Sequence, residues 1–230
     1  MMRPLLSLVA VSGITLGFSL WSCAKNPMSG TTGNLKLSIK AVPAPAKVAA
    51  GVQQVTITAA QIVIGEIEIE SSERDSMDFM SSGPLVVNLD VTGSRTTLGA
   101  IAVPFGRYDE IEVAIAPLQA SAGQVYTANP DLQNRSLLVR GYIDGDSASA
   151  FVFASAIRLE QEQELSPPLL VDANSPNANI VLALDTASWF RDSSGGYLDP
   201  RLPRNQKAIE HNIKNSLKAF ADDDDEDGDD

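Results

Sequence analysis

From Asn34 onward the apolar residues of this chain fall on alternate positions, and that period of two most constrains its fold. Leu35, Leu37 and Ile39 alternate with polar neighbours, and Val55, Ile57 and Ala59 do the same. Such alternation marks strands with one face buried and one face wet. Ile62 and Ile64 lie on the opposite parity, and Ile67 and Ile69 return to the first. These changes of parity predict β-bulges, with Gly65 a natural site for one. Further strands are predicted at Leu85, Val87 and Leu89, over residues 98–103, and over residues 108–116 after the turn Pro104-Phe105-Gly106. Residues 137–143 and 149–159 are set to pair, because Asp144-Gly145 between them is a hairpin-turn dipeptide. Ile180, Leu182 and Leu184 close the series. Residues 71–83 and 120–135 read as polar loops, and residues 161–165 as a charged and polar stretch. No long helical period precedes residue 200. About nine short strands separated by turn residues predict an all-β, antiparallel β-sandwich. A closed barrel is the alternative, although an outer-membrane barrel needs more strands and an aromatic girdle.

The end of the chain changes character. Ile209, Ile213, Leu217 and Phe220 recur at helical spacing, which predicts one amphipathic helix over residues 204–220. Lys214 and Lys218 near its end complement the helix dipole. Residues 222–230 then hold eight acids and no base, so they supply eight of the twelve net negative charges. The charge imbalance therefore belongs to the tail, and it carries no sign of nucleic-acid binding: the sign is wrong and no basic run occurs.

The start of the chain reads as a lipoprotein leader, with an ordinary cleaved signal or an uncleaved anchor helix as the competing readings. Arg3 and the free amino end give a positive start, and residues 5–20 carry no charge at all. A short apolar run after a positive start is the pattern of a secretory signal. It falls short of the roughly 20 residues a spanning helix needs, and Gly13 and Gly17 weaken it as a helix. Leu20-Trp21-Ser22-Cys23 resembles a lipobox, departing from it only at Trp21. Cys23 is the expected lipid acceptor, its sulfur taking a diacylglycerol before cleavage, and two or more acyl chains anchor stably. Cys23 is also the only cysteine, so no internal disulfide can form. Ala24 and Lys25 follow it. The absence of an aspartate there points to the outer membrane by the enterobacterial sorting rule. The expected divisions are a signal peptide at 1–22, the lipidated cysteine and a flexible tether at 23–33, the sandwich at 34–200, the helix at 201–221, and a disordered tail at 222–230.

Several groups of residues bear on chemistry. Asp223, Asp225, Asp227 and Gly228 match the first half of a calcium loop, since alternate aspartates can converge oxygens on one hard cation. The chain ends before the closing glutamate of such a loop, and a solvated polyanion is the competing reading. Calcium is the one cofactor this pattern calls for. Glu66, Glu68 and Glu70 share one strand face, either a cation site or, more commonly, a solvated outer face. Asp185, Trp189, Phe190, Asp192, Tyr197 and Asp199 form an aromatic and acidic group that can bind sugar or plug the end of the sandwich; packing is the favoured reading. His211 is the only histidine and lies off the apolar stripe of its helix, so one chain cannot build a His-based triad or a multi-histidine metal site. Glu160 with Glu164 is a carboxylate pair of the kind a glycosidase uses, but in a polar run without sign of a pocket.

The order of elements resembles a family of bacterial envelope lipoproteins, the domain of unknown function 4382 family. The residues that carry the resemblance are 33–39 (Gly-Asn-Leu-Lys-Leu-Ser-Ile), 55–58 (Val-Thr-Ile-Thr), 87–89 (Val-Asn-Leu) and 103–111, where a Pro-Phe-Gly-Arg-Tyr turn enters a strand of alternating apolar residues. The likeness spans roughly residues 33–185. It implies a β-sandwich in the cell envelope and no enzyme activity. Family members often carry an acidic Thr-Asp-Ala-Pro after the first strand, where this chain has Ile39-Lys40-Ala41-Val42-Pro43. The expectation is a non-catalytic binding or structural module, anchored to a membrane by lipid. A calcium-dependent adhesion or glycan-binding module is the first alternative, and a carboxylate-based hydrolase the second. A protein or glycan of the envelope is the expected partner class, and nucleic acid is not.

Overall fold

The computed structural model describes residues 32–43, 54–71, 79–81 and 83–222. Eleven strands and two α-helices follow in this order: β1 (Thr32–Ala41), β2 (Val55–Glu70), β3 (Phe79–Ser81), β4 (Leu85–Leu89), β5 (Thr96–Pro104), β6 (Gly106–Ile115), α1 (Gln124–Ala128), β7 (Leu137–Ile143), β8 (Asp146–Ser155), β9 (Leu159–Val171), β10 (Asn177–Leu184), α2 (Gln206–Lys214) and β11 (Leu217–Asp222). A four-stranded sheet in the order β11-β10-β1-β5 packs on a seven-stranded sheet in the order β8-β7-β2-β6-β9, with β3 and β4 also on β2. The protein is an all-β sandwich. Its core joins Leu35, Leu37, Ile180 and Leu182 of the smaller sheet to Ile62, Ile67, Ile111 and Val139 of the larger.

β2 is the spine of the larger sheet. The N–H of Val63 donates to the Ser136 carbonyl, and the Val63 carbonyl accepts from the Ala116 N–H. Both groups of one extended residue face the same edge, so β7 and then β6 run along one side of β2. β4 and β3 take the other side. The register shifts between Ile57 and Ala59 against β7, and between Ile64 and Glu66 against β6. The second is the bulge expected at Gly65. The first accounts for the other change of parity, since each extra residue turns the following side chains to the opposite face.

Several expectations need correction. The smaller sheet is mixed, because β1 pairs with β10 in parallel, from Asn34 opposite Asn177 to Ala41 opposite Leu184. Short connections force antiparallel pairing, whereas strands so far apart in sequence can meet in either direction. The tether's last residues, Thr32 and Gly33, already belong to β1. Gly33 has no room for a side chain: a Cβ there would run into Val171 and the Pro176 carbonyl. Residues 79–81 of the expected polar loop form β3. Residues 120–135 contain α1 and two short 3-10 turns, and they bury Leu132 with Val63, Leu118 and Leu138 on the outer face of the larger sheet. Residues 161–165 lie inside β9, which continues through Pro167 and Pro168. An edge strand tolerates proline, and β9 is the outermost strand on its side.

The predicted long helix divides in two. α2 stops at Lys214, and Leu217–Asp222 forms β11 against β10, with Leu217 opposite Leu184 and Phe220 opposite Val181. Pairing satisfies backbone groups on the open edge of β10, which outweighs a weak helical preference in those six residues. Asp222, counted with the tail by composition, is the last residue of that strand. Ile209 and Ile213 are fully buried, so the helix does press its stripe into the sandwich.

Candidate functional site

The outer face of the larger sheet has two halves. Over β7 and the first half of β2 it is covered by the packed loop around Leu132. Over the second half of β2, β6 and β9 it carries glutamates. Register sets Glu68, Glu112 and Glu162 in one row across three strands, Glu70, Glu110 and Glu164 in the next, and Glu66, Ala114 and Glu160 in a third. The sequence builds this face by strict alternation. Ile67 and Ile69, Ile111 and Val113 turn inward, while each intervening glutamate turns outward. On β9 the alternating partners are Gln161 and Gln163, whose amides reach β11. Gln163 accepts from the Ala219 N–H at 2.7 Å, and Gln161 donates to the Leu217 carbonyl at 3.2 Å. These side chains tie the edges of the two sheets together.

Like charges directly opposite each other destabilise a sheet. The three rows place no lysine or arginine among the eight glutamates. The proton affinities respond accordingly. Glu110 is pushed up to about 7, first by a hydrogen bond shared with Glu162, then by partial burial, then by repulsion from Glu162, Glu70 and Glu164. Glu112 is also raised, by partial burial and by its hydrogen bond and repulsion with Glu160. The face therefore lowers its own charge by binding protons more tightly than isolated carboxylates do, Glu110 sharing one with Glu162. Oxygens of Glu68, Glu70 and Glu112 lie within 4.8 Å of one another, a spacing that a hard divalent cation can also bridge. Glu66, Glu68 and Glu70 were thus legible as one face, but the five glutamates of β6 and β9 were not joined to them. The signal was present in the alternating run Glu160-Gln161-Glu162-Gln163-Glu164, which has the period of a strand.

The other sequence candidates resolve as follows. Cys23, Asp223, Asp225 and Asp227 lie outside the described residues. Trp189 is fully buried and its Nε1 donates to Ser216 Oγ at 2.8 Å. Phe190 packs edge-on against Phe151 and Phe153. These rings plug the sandwich, as the packing reading had it, and present no stacking face to a sugar. The acids beside them hold turns: Asp185, Asp192 and Asp199 each accept from the backbone N–H two residues on. Asp192 is held below the usual carboxylate range by the Ser194 hydroxyl and the Gly196 and Ser194 amides, and Asp199 by the Arg201 guanidinium. His211 is exposed, 2.9 Å from the Asn215 side-chain nitrogen. Glu160 and Glu164 stand four residues apart on one strand, roughly 13 Å at strand rise. That exceeds the separation of a glycosidase pair, and both lie on an open face.

Two concavities measure about 180 and 170 Å³. The first is lined by Gln61 and residues 128–132, the second by Val55, Ile57, Thr186, Phe190, Arg191 and Tyr197 among others. Both are smaller than the ~300 Å³ at which ordinary ligand pockets begin. In the second, the Arg191 guanidinium lies over the Tyr197 ring and donates to its hydroxyl at 3.1 Å, so its charge is already engaged. Among the described residues no helix is long and apolar enough to cross a membrane. Compared with known proteins, the chain matches no family model, no curated protein and no solved structure.

Proposed function

We propose that the chain is a cell-envelope lipoprotein, anchored through lipid on Cys23, whose β-sandwich serves as a non-catalytic binding or structural module. The observation that carries this reading is the leader: Arg3, the uncharged residues 5–20, and Leu20-Trp21-Ser22 leading into the sole cysteine. The sandwich is compatible with it. Most of the described acids close turns or stand on an open sheet face, Asp109 and Asp131 pair with Arg107 and Arg140, and Glu210 accepts from Ser155 and Gln206; neither concavity gathers an acid, a base and a nucleophile. Kinship with the domain of unknown function 4382 family belongs to the same proposal. The turn that carries the likeness is a built feature, since the buried Tyr108 hydroxyl donates to the Pro104 carbonyl at 2.8 Å, a tyrosine corner of the kind found in sandwich domains. Acyl-analogue labelling in the native host tests the anchor. Label on the wild type and none on Cys23→Ala is expected, and absence of label from both overturns it.

Calcium-dependent adhesion is the alternative, favoured by the Asp223, Asp225, Asp227 and Gly228 pattern. Calcium titration of the chain with and without residues 223–230 separates the two. Equal thermal response of both chains is the result expected of a solvated tail.

A further inference from the structure

The outer face of the smaller sheet carries charge of the opposite sign to the glutamate face. Leu35, Leu37 and Ile39 of β1 point into the core, so Lys36, Ser38 and Lys40 point away from it. Pairing extends this outer face in rows: Lys40, Ala183 and Lys218, then Ser38, Val181 and Phe220, then Lys36, Asn179 and Asp222. The one acid in register with these lysines is Asp222, the last residue of β11. The Lys40 ammonium lies 5.1 Å from the centre of the Phe220 ring. β10 runs between β1 and β11, so the lysine stem crosses β10 to reach the ring. Val181, between Ser38 and Phe220, is 0% exposed although it faces away from the core. Lys40 therefore leans toward the strand that carries the exposed Lys218. Among the described residues neither of these two lysines forms a salt bridge.

β11 leads directly into residues 223–230, which lie outside the described residues and hold seven acids and no base. From these observations we infer that residues 223–230 dock on the lysine face of the smaller sheet and mask it. The reach is sufficient. A segment of this length spans at most about 26–29 Å. Lys36 stands two strand spacings from Asp222, about 10 Å, and Lys40 lies four residues further along β1, about 13 Å. Charge selects the face. β11 is tied to β9 through Gln161 and Gln163, and β9 turns Glu160, Glu162 and Glu164 outward. The acidic segment therefore leaves the sandwich between a glutamate face, which repels it, and a lysine face, which attracts it. Covalent attachment beside the lysines gives its carboxylates a high effective concentration there. An anionic partner reaches Lys40 and Lys218 by displacing it.

Acetylation of lysines by an N-hydroxysuccinimide ester, read residue by residue in a mass spectrometer, tests this. The full chain is compared with one ending at Asp222 and with one whose carboxylates beyond Asp222 are all replaced by the matching amides. Both altered chains are expected to react about two- to five-fold faster at Lys40 and Lys218, the range that exposed ion pairs support, with little change at Lys207 on α2. Salt at about 1 M is expected to bring the full chain to the same rates. The pairing of β11 ends at Asp222, so both altered chains keep every described strand, and a thermal transition matching the parent's checks that they fold. Unchanged rates at Lys40 and Lys218, or an equal change at Lys207, overturns the proposal. Release by truncation but not by the amides overturns it as a contact between charges. Protection that requires phosphatidylglycerol vesicles and persists in the shortened chain assigns the face to a membrane, and overturns it as well.

Discussion

Glu110 takes its proton affinity from the three strands around it. Its folded value of about 7 stands above the ordinary 4.5. A proton is therefore bound more tightly in the folded chain, and the stability this contributes is fully present below about 4.5. It is lost as pH rises through about 7. Glu110→Gln keeps the shape and removes the charge. The variant is expected to melt above the wild type at pH 8, with a smaller difference at pH 5. Thermal melts at the two pH values check this, and an equal shift at both contradicts it. Asn212 acts at the other end of the sandwich. Its side-chain N–H groups donate to the carbonyls of Ser188, Trp189 and Arg191, at 3.2, 3.1 and 2.6 Å, and so dock α2 on the loop that carries Trp189. Asn212→Ala leaves those carbonyls without this donor and is expected to cost about 1–3 kcal/mol in denaturant unfolding. The buried positions of Trp189, Ile209 and Ile213 could be read from residue type and spacing. Asn212 could not, because nothing in the sequence distinguishes a docking asparagine from a surface one.

Local signals governed the elements they touch, and pairing partners governed the rest. Alternation placed β1, β2, β6 and β10, and the parity changes in β2 located its bulge at Gly65. The hairpin at Asp144-Gly145 joins β7 to β8 as expected, with Asp144 and Gly145 both at positive φ. β11 was hidden because Leu217 and Phe220 also fit a helical stripe, and only the open edge of β10 decides between the two. The parallel pairing of β1 with β10 was hidden for the same reason, since it depends on two segments far apart in sequence. Gly33 is the position where that pairing is tightest. Gly33→Ala is expected to destabilise the chain by about 1–3 kcal/mol through overpacking against Val171 and the Pro176 carbonyl. Urea unfolding checks it, and a neutral result contradicts the close approach of β1 to the β9–β10 connection.

The described residues join a filled sandwich to an asymmetric charge distribution, and the proposed lipid anchor precedes them. The glutamate face covers β6, β9 and the second half of β2, and the uncharged part of β8 precedes β9 along the same edge of the larger sheet. Screening of repulsion on that face is expected to raise the melting temperature with added sodium chloride at pH 8, and to do so less at pH 5 and in Glu110→Gln. A salt response independent of pH contradicts the account. The glutamate face was not legible as a whole, because it needed the register of three strands to assemble it. The central claim is the anchor on Cys23, and intact-protein mass spectrometry of the chain from its native membrane tests it most directly. A mature chain beginning at Cys23, heavier than its residues by a diacylglycerol with or without a third acyl chain, is the expected result. An unmodified chain, whether it begins at Met1 or at any other residue, would contradict it.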